Sequence, residues 1–388
     1  MNIVFCRYRN MCEPDHIDAF KALGINVVEV FINELGTESL DEKAQILGRI
    51  FRESTPMFVF SINYFPYISI VCQGLGIKYV SVSVTCPVME IYNRTIKNSC
   101  NRVFLFDRQQ YESVRDENPG CIFHLPLGAA VERVDTILGN TDGYRYDISF
   151  VGSLYNEKDP FLKLSLPQEK RECFEDIMYR QMDDSAWGQE LLEEAVTDED
   201  VSFIKSAAED FYPSHMSVRN LDRFVVVNNY LSPHMTYLER VKILNMLGEK
   251  FGKERMNLFS QSDVSMLKGI NCHGGVNTMN EMPLVFRQSR VNLNTSTRSI
   301  KTGIPQRVWD VLSCRGFLLT NYQQELTDFF EIGKDLAAYE SISELPGLIE
   351  YYLSHEDERM EIAENGYGKV REKGSVLMRV MDIIRNIA

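Results

Sequence analysis

The stretch LNTSTRSIKTGIPQRVWDVLSCRGFLLTN, Leu293 to Asn321, decides how the rest of the chain is read. Its opening residues read as the end of a strand, PQRVWDVLSCRG as a helix, and FLLTN as a second strand. A helix between two short strands is a crossover, and crossovers join parallel strands of one sheet. Pro305 suits the first helical position, where its missing N–H costs nothing. Val308, Val311 and Leu312 form the core face of a helix from Pro305 to Arg315, and Arg307 and Asp310, three apart, share another face. Arg298, Lys301 and Arg307 thus crowd the start of a buried helix. Free N–H groups and the positive end of the helix dipole favour an anion there by ~0.3–1 kcal/mol. Gly303 lets the backbone come close to a ligand. The expectation is a diphosphate cradle, with Asp310 accepting two ribose hydroxyls. The plainer alternative is an Arg307–Asp310 pair on a surface helix.

The same alternation fills the first third of the chain. NIVFCRY, INVVEVFI, PMFVFSIN, IKYVSVSV, NRVFLFD and CIFHLPLG read as strands, while DHIDAFKAL, LDEKAQILGRIFRES and FPYISIVCQGLG have helical spacing. Near Asp147 a second unit opens with YDISFVGSLYNEKDPF, a strand running into Val-Gly-Ser, as in the first turn of a nucleotide-binding sheet. A charged, helically periodic stretch follows, and the α/β pattern resumes at PHMTYLERVKILNMLGEKFG. The expected fold is α/β: two Rossmann-like domains, 1–146 and 147–388, facing a cleft. The second carries a helical insertion over 160–232, and the last helix is a candidate to pack back on the first. The acidic run of the insertion reads as a solvated helix face, with acceptor recognition as the lesser alternative. Ligands of such sheets bind beyond the carboxyl ends of the strands, so the functional residues belong in the loops there.

Composition narrows the function. A chain of 388 residues exceeds one ordinary core. Its net charge of −14 disfavours nucleic acid, whose phosphates need a basic face. Nine cysteines without CxxC spacing suggest reduced thiols in a cytoplasm, with no structural zinc. No apolar run reaches the ~18 residues of a membrane span. MNIVFCRYRN reads as a first strand and not as a leader.

Several segments together carry a resemblance. These are FSINYFPYISIVCQ, YNRTIKNSCNRVFLFD, FHLPLGAAVERVD, DISFVGSLY, LERVKILNML, and the long run from SRVNLNTS to AENGYGKV. The chain resembles the CgeB-like, spore-maturation-protein-type glycosyltransferases, GT-B enzymes related to glycosyltransferase family 4. The resemblance implies transfer of a sugar from a nucleotide-diphosphate sugar to a glycan or protein acceptor, in bacterial glycan biosynthesis. It places the donor in the C-terminal domain and the acceptor in the N-terminal one. It implies no resident cofactor or metal, with magnesium at most stimulatory. Carried over by residue, it puts Gly152 and Ser153 near the diphosphate, Arg240 and Arg307 on it as catalytic cations, Asp310 at the ribose, and Asn294 and Thr295 in the donor pocket. There are departures. Family 4 relatives have two glutamates eight apart, and here Thr302 and Asp310 take those places. CgeB-type relatives carry a Trp and an Asp where YVSVSVTCPV has Val82 and Thr85. The general base is therefore unassigned, which implies altered acceptor choice, a retaining mechanism without an enzyme base, or reduced activity.

Other candidates have a plain reading beside the functional one. His124 ends a strand near the cleft, where it is placed by the transferred sugar or is simply a half-buried histidine. Glu13, Asp15 and His16 follow the first strand on the acceptor side, although Asp15 suits a helix N-cap. His273 precedes two glycines, as a contact to the donor base or as a turn. Arg298 and Gly303 belong with the cradle. Tyr64, with Phe65 and Tyr67, suits stacking on an acceptor sugar or the core. Cys86 is a candidate pocket thiol. The GxGxxG, GxSxG and HExxH signatures are absent. The leading reading is a retaining glycosyltransferase. The alternative is a catalytically silent GT-B partner subunit that binds a nucleotide sugar or glycan, favoured by Thr85 and Thr302. An epimerase would need paired acids or histidines that the sequence scarcely offers.

Overall fold

The computed structural model describes residues 2–157, 159–182 and 190–387. Two parallel six-stranded sheets organise them. The first holds β1 (Asn2–Arg7), β2 (Asn26–Phe31), β3 (Phe58–Ile62), β4 (Lys78–Val82), β5 (Asn101–Leu105) and β6 (Ile122–His124), in the order β2-β1-β3-β4-β5-β6. The second holds β7 (Tyr146–Val151), β8 (Met256–Phe259), β9 (Asn271–Cys272), β10 (Ser289–Asn294), β11 (Leu318–Asn321) and β12 (Ala337–Tyr339), in the order β12-β11-β10-β7-β8-β9. Parallel strands need helical crossovers, which cover both faces of a sheet. That is why β3 and β8 are apolar-rich and buried at every position. The architecture is the two-domain, Rossmann-like GT-B fold expected from the sequence.

The opening stretch folds as strand, helix and strand with small shifts of boundary. Its helix spans Gln306–Ser313, with Pro305 as N-cap instead of first helical residue. Val308, Val311 and Leu312 are buried as their spacing requires. β9 and β12, two and three residues long, are too short for a periodicity to announce them.

The region after β7 is helical, including Gln168–Gln181 and Asp198–Ala207, and runs through a π-helical stretch, Val226–Leu231, into the long helix Ser232–Phe251. It closes on the first sheet's domain. Phe161, Met178, Val225 and Leu231 share one apolar core with Val88, Met89 and Tyr92. Val218 N–H donates to Tyr92 O at 2.8 Å, Tyr212 Oη to Met89 O at 3.2 Å, and the Tyr92 and Phe224 rings meet edge to face at 5.3 Å. The last helix, Val376–Ile387, buries Val380 and Ile383 against Ile3, Phe5 and Phe58.

A buried carboxylate ties the opening stretch to the first sheet. Asp107, fully buried just after β5, accepts from the backbone N–H groups of Lys301, Thr302 and Gly303 at 2.9, 2.9 and 3.0 Å through Oδ2. Its Oδ1 caps the helix Arg108–Val114 by accepting from Gln110 N at 2.9 Å. The expectation for Gly303 is thereby corrected: its bare Cα faces protein, because a Cβ there would lie 2.9 Å from Asp107 Cα and from Phe106 Cδ2. Glu325 completes the clasp. It accepts from Arg108 N at 2.8 Å and from Thr302 Oγ1 at 2.8 Å, and pairs with His124 Nε2 at 2.7 Å. Thr302 is thus an interdomain tether and not a donor contact. Burial raises the Glu325 carboxyl pKa, but the hydrogen bonds from His124, Arg108 and Thr302 outweigh it and hold the group below its ordinary value of 4.5.

Two outcomes follow from the clasp. Asp107→Ala strands four amide donors, three of them from the other domain, and costs about 3 kcal/mol or more in denaturant unfolding, since an unpaired buried donor costs about 1–3 kcal/mol. A depressed carboxyl stabilises the fold above its unfolded pKa and loses that contribution as pH falls through the folded value. Unfolding measured from pH 6 down to 3 (about the range in which carboxylates titrate) should therefore show a loss of stability below about 4.5 that is smaller in Glu325→Gln.

Candidate active site

In the second sheet β7 and β10 are neighbours, and the chain leaves them toward opposite halves of the sheet. Such a switch point opens a crevice beyond the strand ends. A cavity of about 410 Å³ lies there. It is lined by Phe150–Ser153 at the end of β7 and Asn294–Thr297 at the end of β10. Thr236 and Arg240 come from the helix Ser232–Phe251, and Pro305 and Arg307 from the start of Gln306–Ser313. Val84, Thr85 and Cys86, following β4, face it from the first domain. Asn63 holds that loop: its amide donates to Thr85 Oγ1 at 3.2 Å and its Oδ1 accepts from Val84 N at 3.0 Å.

Arg240 dominates the electrostatics. Only 7% of it is exposed, and its guanidinium donates to Thr295 Oγ1 at 3.0 Å, to Thr295 O at 2.6 Å, and to Ser153 O. Its carbon lies over the rings of Phe150 and Tyr155 at 5.3 and 4.9 Å. All these partners are neutral, and among the described residues no carboxylate forms an ion pair with it. Burial accordingly lowers its pKa. A desolvated guanidinium held by neutral acceptors is an incomplete arrangement that an anion completes, with the planar fork matched to phosphate oxygens. Arg307 adds a second cation, paired with Asp310 Oδ2 at 3.2 Å and lying over Phe286 at 5.2 Å.

The structure gathers Arg240, Arg307, Gly152, Ser153, Asn294, Thr295 and Thr85 around this cavity. Cys86 lines it too, and the remaining candidates lie elsewhere. Asp310 does not line it. Gln306 Nε2 at 3.0 Å and Arg307 engage its carboxyl, whose pKa burial raises, so the plain reading of an Arg307–Asp310 pair is the one seen. Arg298 is held by Glu239, with Nε to Oε2 at 3.0 Å, and lines a neighbouring cavity. His124 points at Glu325 in the clasp. His273 stacks on Phe259 at 4.5 Å and pairs with Asn257 Oδ1 at 2.8 Å. Glu13 is fully buried, accepting from Tyr8 N at 2.7 Å and Arg7 Nε at 3.0 Å. Asp15 binds Arg133 through two hydrogen bonds, 2.7 and 3.1 Å, and Cys12 holds the N-cap position assigned to it. His16 is a core histidine whose Nδ1 meets Cys12 O at 2.8 Å. Tyr64 is buried, donating to Thr95 Oγ1 at 2.9 Å. Burial pushes the Cys86 thiol well above its ordinary range.

Sequence reasoning missed Asp107 and Tyr155. An Asp between an apolar strand and a helix, as in FLFDRQQ, is an N-cap signal that would have flagged Asp107. Nothing in the sequence marks Tyr155, whose φ of 75° brings it beside Arg240.

Residues 242–385 match the model of a family described as glycosyl transferase-like. The comparison with curated proteins finds no match. Among solved structures the fold is shared with Anabaena HepE, solved in complex with UDP and glucose: TM-score 0.55, 8% identity, 100% of this chain and 99% of that one. It is shared too with a glycosyltransferase from Rickettsia africae: 0.53, 12%, 99% and 97%. A UDP-forming trehalose-phosphate synthase from Burkholderia xenovorans gives 0.53, 11%, 100% and 98%. The chain therefore carries a glycosyl transferase-like segment within a complete GT-B fold. No helix among the described residues is long and apolar enough to cross a membrane.

An incomplete cation site should respond to a bare diphosphate. Inorganic pyrophosphate is expected to raise the melting temperature of the wild-type chain, and Arg240→Gln to remove that rise while retaining its circular dichroism spectrum.

Proposed function

We propose that this chain transfers a glycosyl group from a nucleoside-diphosphate sugar to an acceptor hydroxyl, with retention at the anomeric carbon and without a resident metal. The observation that carries the reading is Arg240, buried at the switch point beside Arg307, with only neutral groups as hydrogen-bond partners among the described residues. Charge builds on the leaving diphosphate as the glycosidic bond breaks. A preorganised, buried guanidinium stabilises that charge more in the transition state than in the ground state. Thr295 and Ser153 hold the fork in place beforehand. Among the described residues, the cavity lining contains no Asp, Glu or His. Departure and attack on one face, with the leaving phosphate oxygen taking the acceptor proton, needs no base from the protein.

The donor is assigned to the 147–388 half, and the acceptor to the side of Val84–Cys86. The nucleotide to test first is UDP, because HepE was solved with UDP and the trehalose-phosphate synthase is UDP-forming. The CgeB-like resemblance, a glycan or protein acceptor and a cytoplasmic setting belong to the same reading. The lining without a base also favours a second reading, a silent nucleotide-sugar-binding subunit.

A thermal-shift screen with UDP, GDP, dTDP, ADP and CDP should single out one nucleotide. At about 100 times its dissociation constant that ligand stabilises the fold by ~2.7 kcal/mol. Arg240→Ala should lower transfer, or slow donor hydrolysis in the absence of acceptor, by about 100-fold or more. Arg240→Lys keeps the charge and should recover only part, because the fork is lost. Wild-type turnover in Arg240→Ala would sink the assignment. Nucleotide binding without any hydrolysis or transfer would select the silent subunit.

A further inference from the structure

At the end of the second sheet opposite the cleft lies a cavity of about 230 Å³. Tyr144 precedes β7, Ser289 opens β10 and Phe317 precedes β11, so it sits at the amino ends of these strands. The cleft lies at their carboxyl ends, and the six residues of β10 keep the two roughly 17 Å apart. Three guanidinium groups line this cavity. Arg359, 1% exposed, is its floor. Its Nη1 donates to Tyr352 O at 2.8 Å, while Nε and Nη2 have no hydrogen-bond acceptor among the described residues. Glu356 Oε1 lies 3.3 Å from that Nη2, out of hydrogen-bond alignment, and Glu356 is shared with Arg290. Arg287 reaches Thr141 O, Arg315 O and Asp142 Oδ1 only at 3.4, 3.5 and 3.4 Å. Arg315 bonds Glu364 through Nη1 at 2.5 Å and lies on the Tyr367 ring at 3.7 Å, which leaves the Nε–Nη2 edge of its fork uncommitted among the described residues.

The chain carries a net charge of −14, yet the balance here is positive. Arg287, Arg315 and Arg359 face two lining carboxylates among the described residues, Asp142 and Glu364. Following the shared partners outward adds Arg290 and Arg255 against Glu356 and Asp147, and still leaves one cation in excess. The two lining carboxylates stand on the rim, with side chains 92% and 54% exposed, and exposed ion pairs contribute little. They give way to a ligand easily, whereas the buried Arg359 keeps its place and its field. The remaining wall is largely apolar: Tyr144, Phe317, Met360 and Ala363. One charge in excess fits a monoanion, and a planar fork fits a carboxylate through two parallel hydrogen bonds. The volume is below the ~300–1,000 Å³ of a drug-sized site and suits one ring with its acid group. We propose that this cavity binds a small organic monocarboxylate, held by Arg315 and Arg287 at its acid end and by Tyr144 and Met360 along its body. Inorganic phosphate and pyrophosphate lack that body and carry more charge than the lining balances. None of these residues lines the cleft, so the site stands whether or not the nucleotide-sugar reading does.

The test is titration calorimetry on the full chain with benzoate, acetate, benzamide, phenyl phosphate and inorganic phosphate. Benzoate should bind with a dissociation constant of about 1 mM or tighter, and acetate and the neutral benzamide about tenfold or more weakly than that. Arg315→Gln should weaken benzoate by a similar factor. Met360→Glu, at an exposed position, adds a third carboxylate to the lining and should do the same without opening the core. Both variants should bind pyrophosphate at Arg240 as the wild type does, and Arg240→Gln should bind benzoate as the wild type does. The proposal is overturned if benzoate does not bind, if benzamide binds as well, if phenyl phosphate binds tighter, or if neither variant alters benzoate binding. It is overturned too if Arg240→Gln removes that binding, which would move the acid to the cleft. Benzoate binding that depends on Arg315, in a chain that binds no pyrophosphate, would count against the reading of the cleft and leave this site standing.

Discussion

The arrangement of this molecule depends on one carboxylate. Asp107 stands at the end of β5, in the first sheet, and accepts from three consecutive amides of the loop between β10 and the helix Gln306–Ser313. Successive N–H groups that converge in this way make an anion-binding concavity. Here a side chain of the same chain fills it. The consequence is geometric. The loop that lines the catalytic cleft cannot shift without breaking its bonds to the first domain, so cavity shape and domain orientation are set together. Thr302 and Glu325 extend the contact on one side, and the cores around Tyr92 and Val380 fasten the domains at two other places.

With those amides occupied, an anion entering the cleft would have to be met by side-chain cations instead. The sequence supplies five cations near the cleft, and the structure divides them sharply. Arg298 and Lys301 have carboxylate partners, Glu239 and Glu190, and Arg307 has Asp310. Arg133 is held by Asp15. Arg240 alone among these five has only neutral acceptors. A salt-bridged cation offers little to a ligand, since its field is already cancelled. A buried one without a counter-ion keeps its field, at the cost of its own desolvation. Proximity in sequence to a helix start is therefore a poor guide to which cation matters.

The fold was legible because it rests on periodicity and spacing. Strands such as FVFSI and helices such as LDEKAQILGRIFRES carry their burial pattern in their residues. The pieces that matter for the site at long range were legible only in part. Arg240, Gly152, Ser153 and Thr295 were placed by likeness to a family, and they do meet at one cavity. Glu13, His16 and Tyr64 failed as acceptor contacts because the side chains after β1 and β3 turn inward, where Tyr8, Cys12 and Thr95 satisfy them. Glu13 and His16 lie in the first turn of the helix Glu13–Ala22 and Tyr64 just before the helix Pro66–Leu75, and a polar residue at a helix start carries little local mark of which way it points. The same holds for His124, whose partner Glu325 becomes evident only once the sheets are packed, whereas the partners of Asp310, Gln306 and Arg307, lie one turn before it on its own helix. Hydrogen bonding between residues 201 apart, as in His124 and Glu325, is a property of topology.

The composition of the cavity bears on stereochemistry. Inversion by direct displacement needs a base on the acceptor side, usually a carboxylate or an imidazole close to the attacking hydroxyl. The loop from Val84 to Cys86 supplies a threonine and a thiol, and burial keeps that thiol protonated. His124, the other candidate base, is committed to the clasp with Glu325. What the cleft holds is one buried guanidinium with neutral hydrogen-bond partners, Arg240. In the transfer proposed above, its charge would favour departure of the diphosphate, and the neutral Thr85 adds no negative charge beside it.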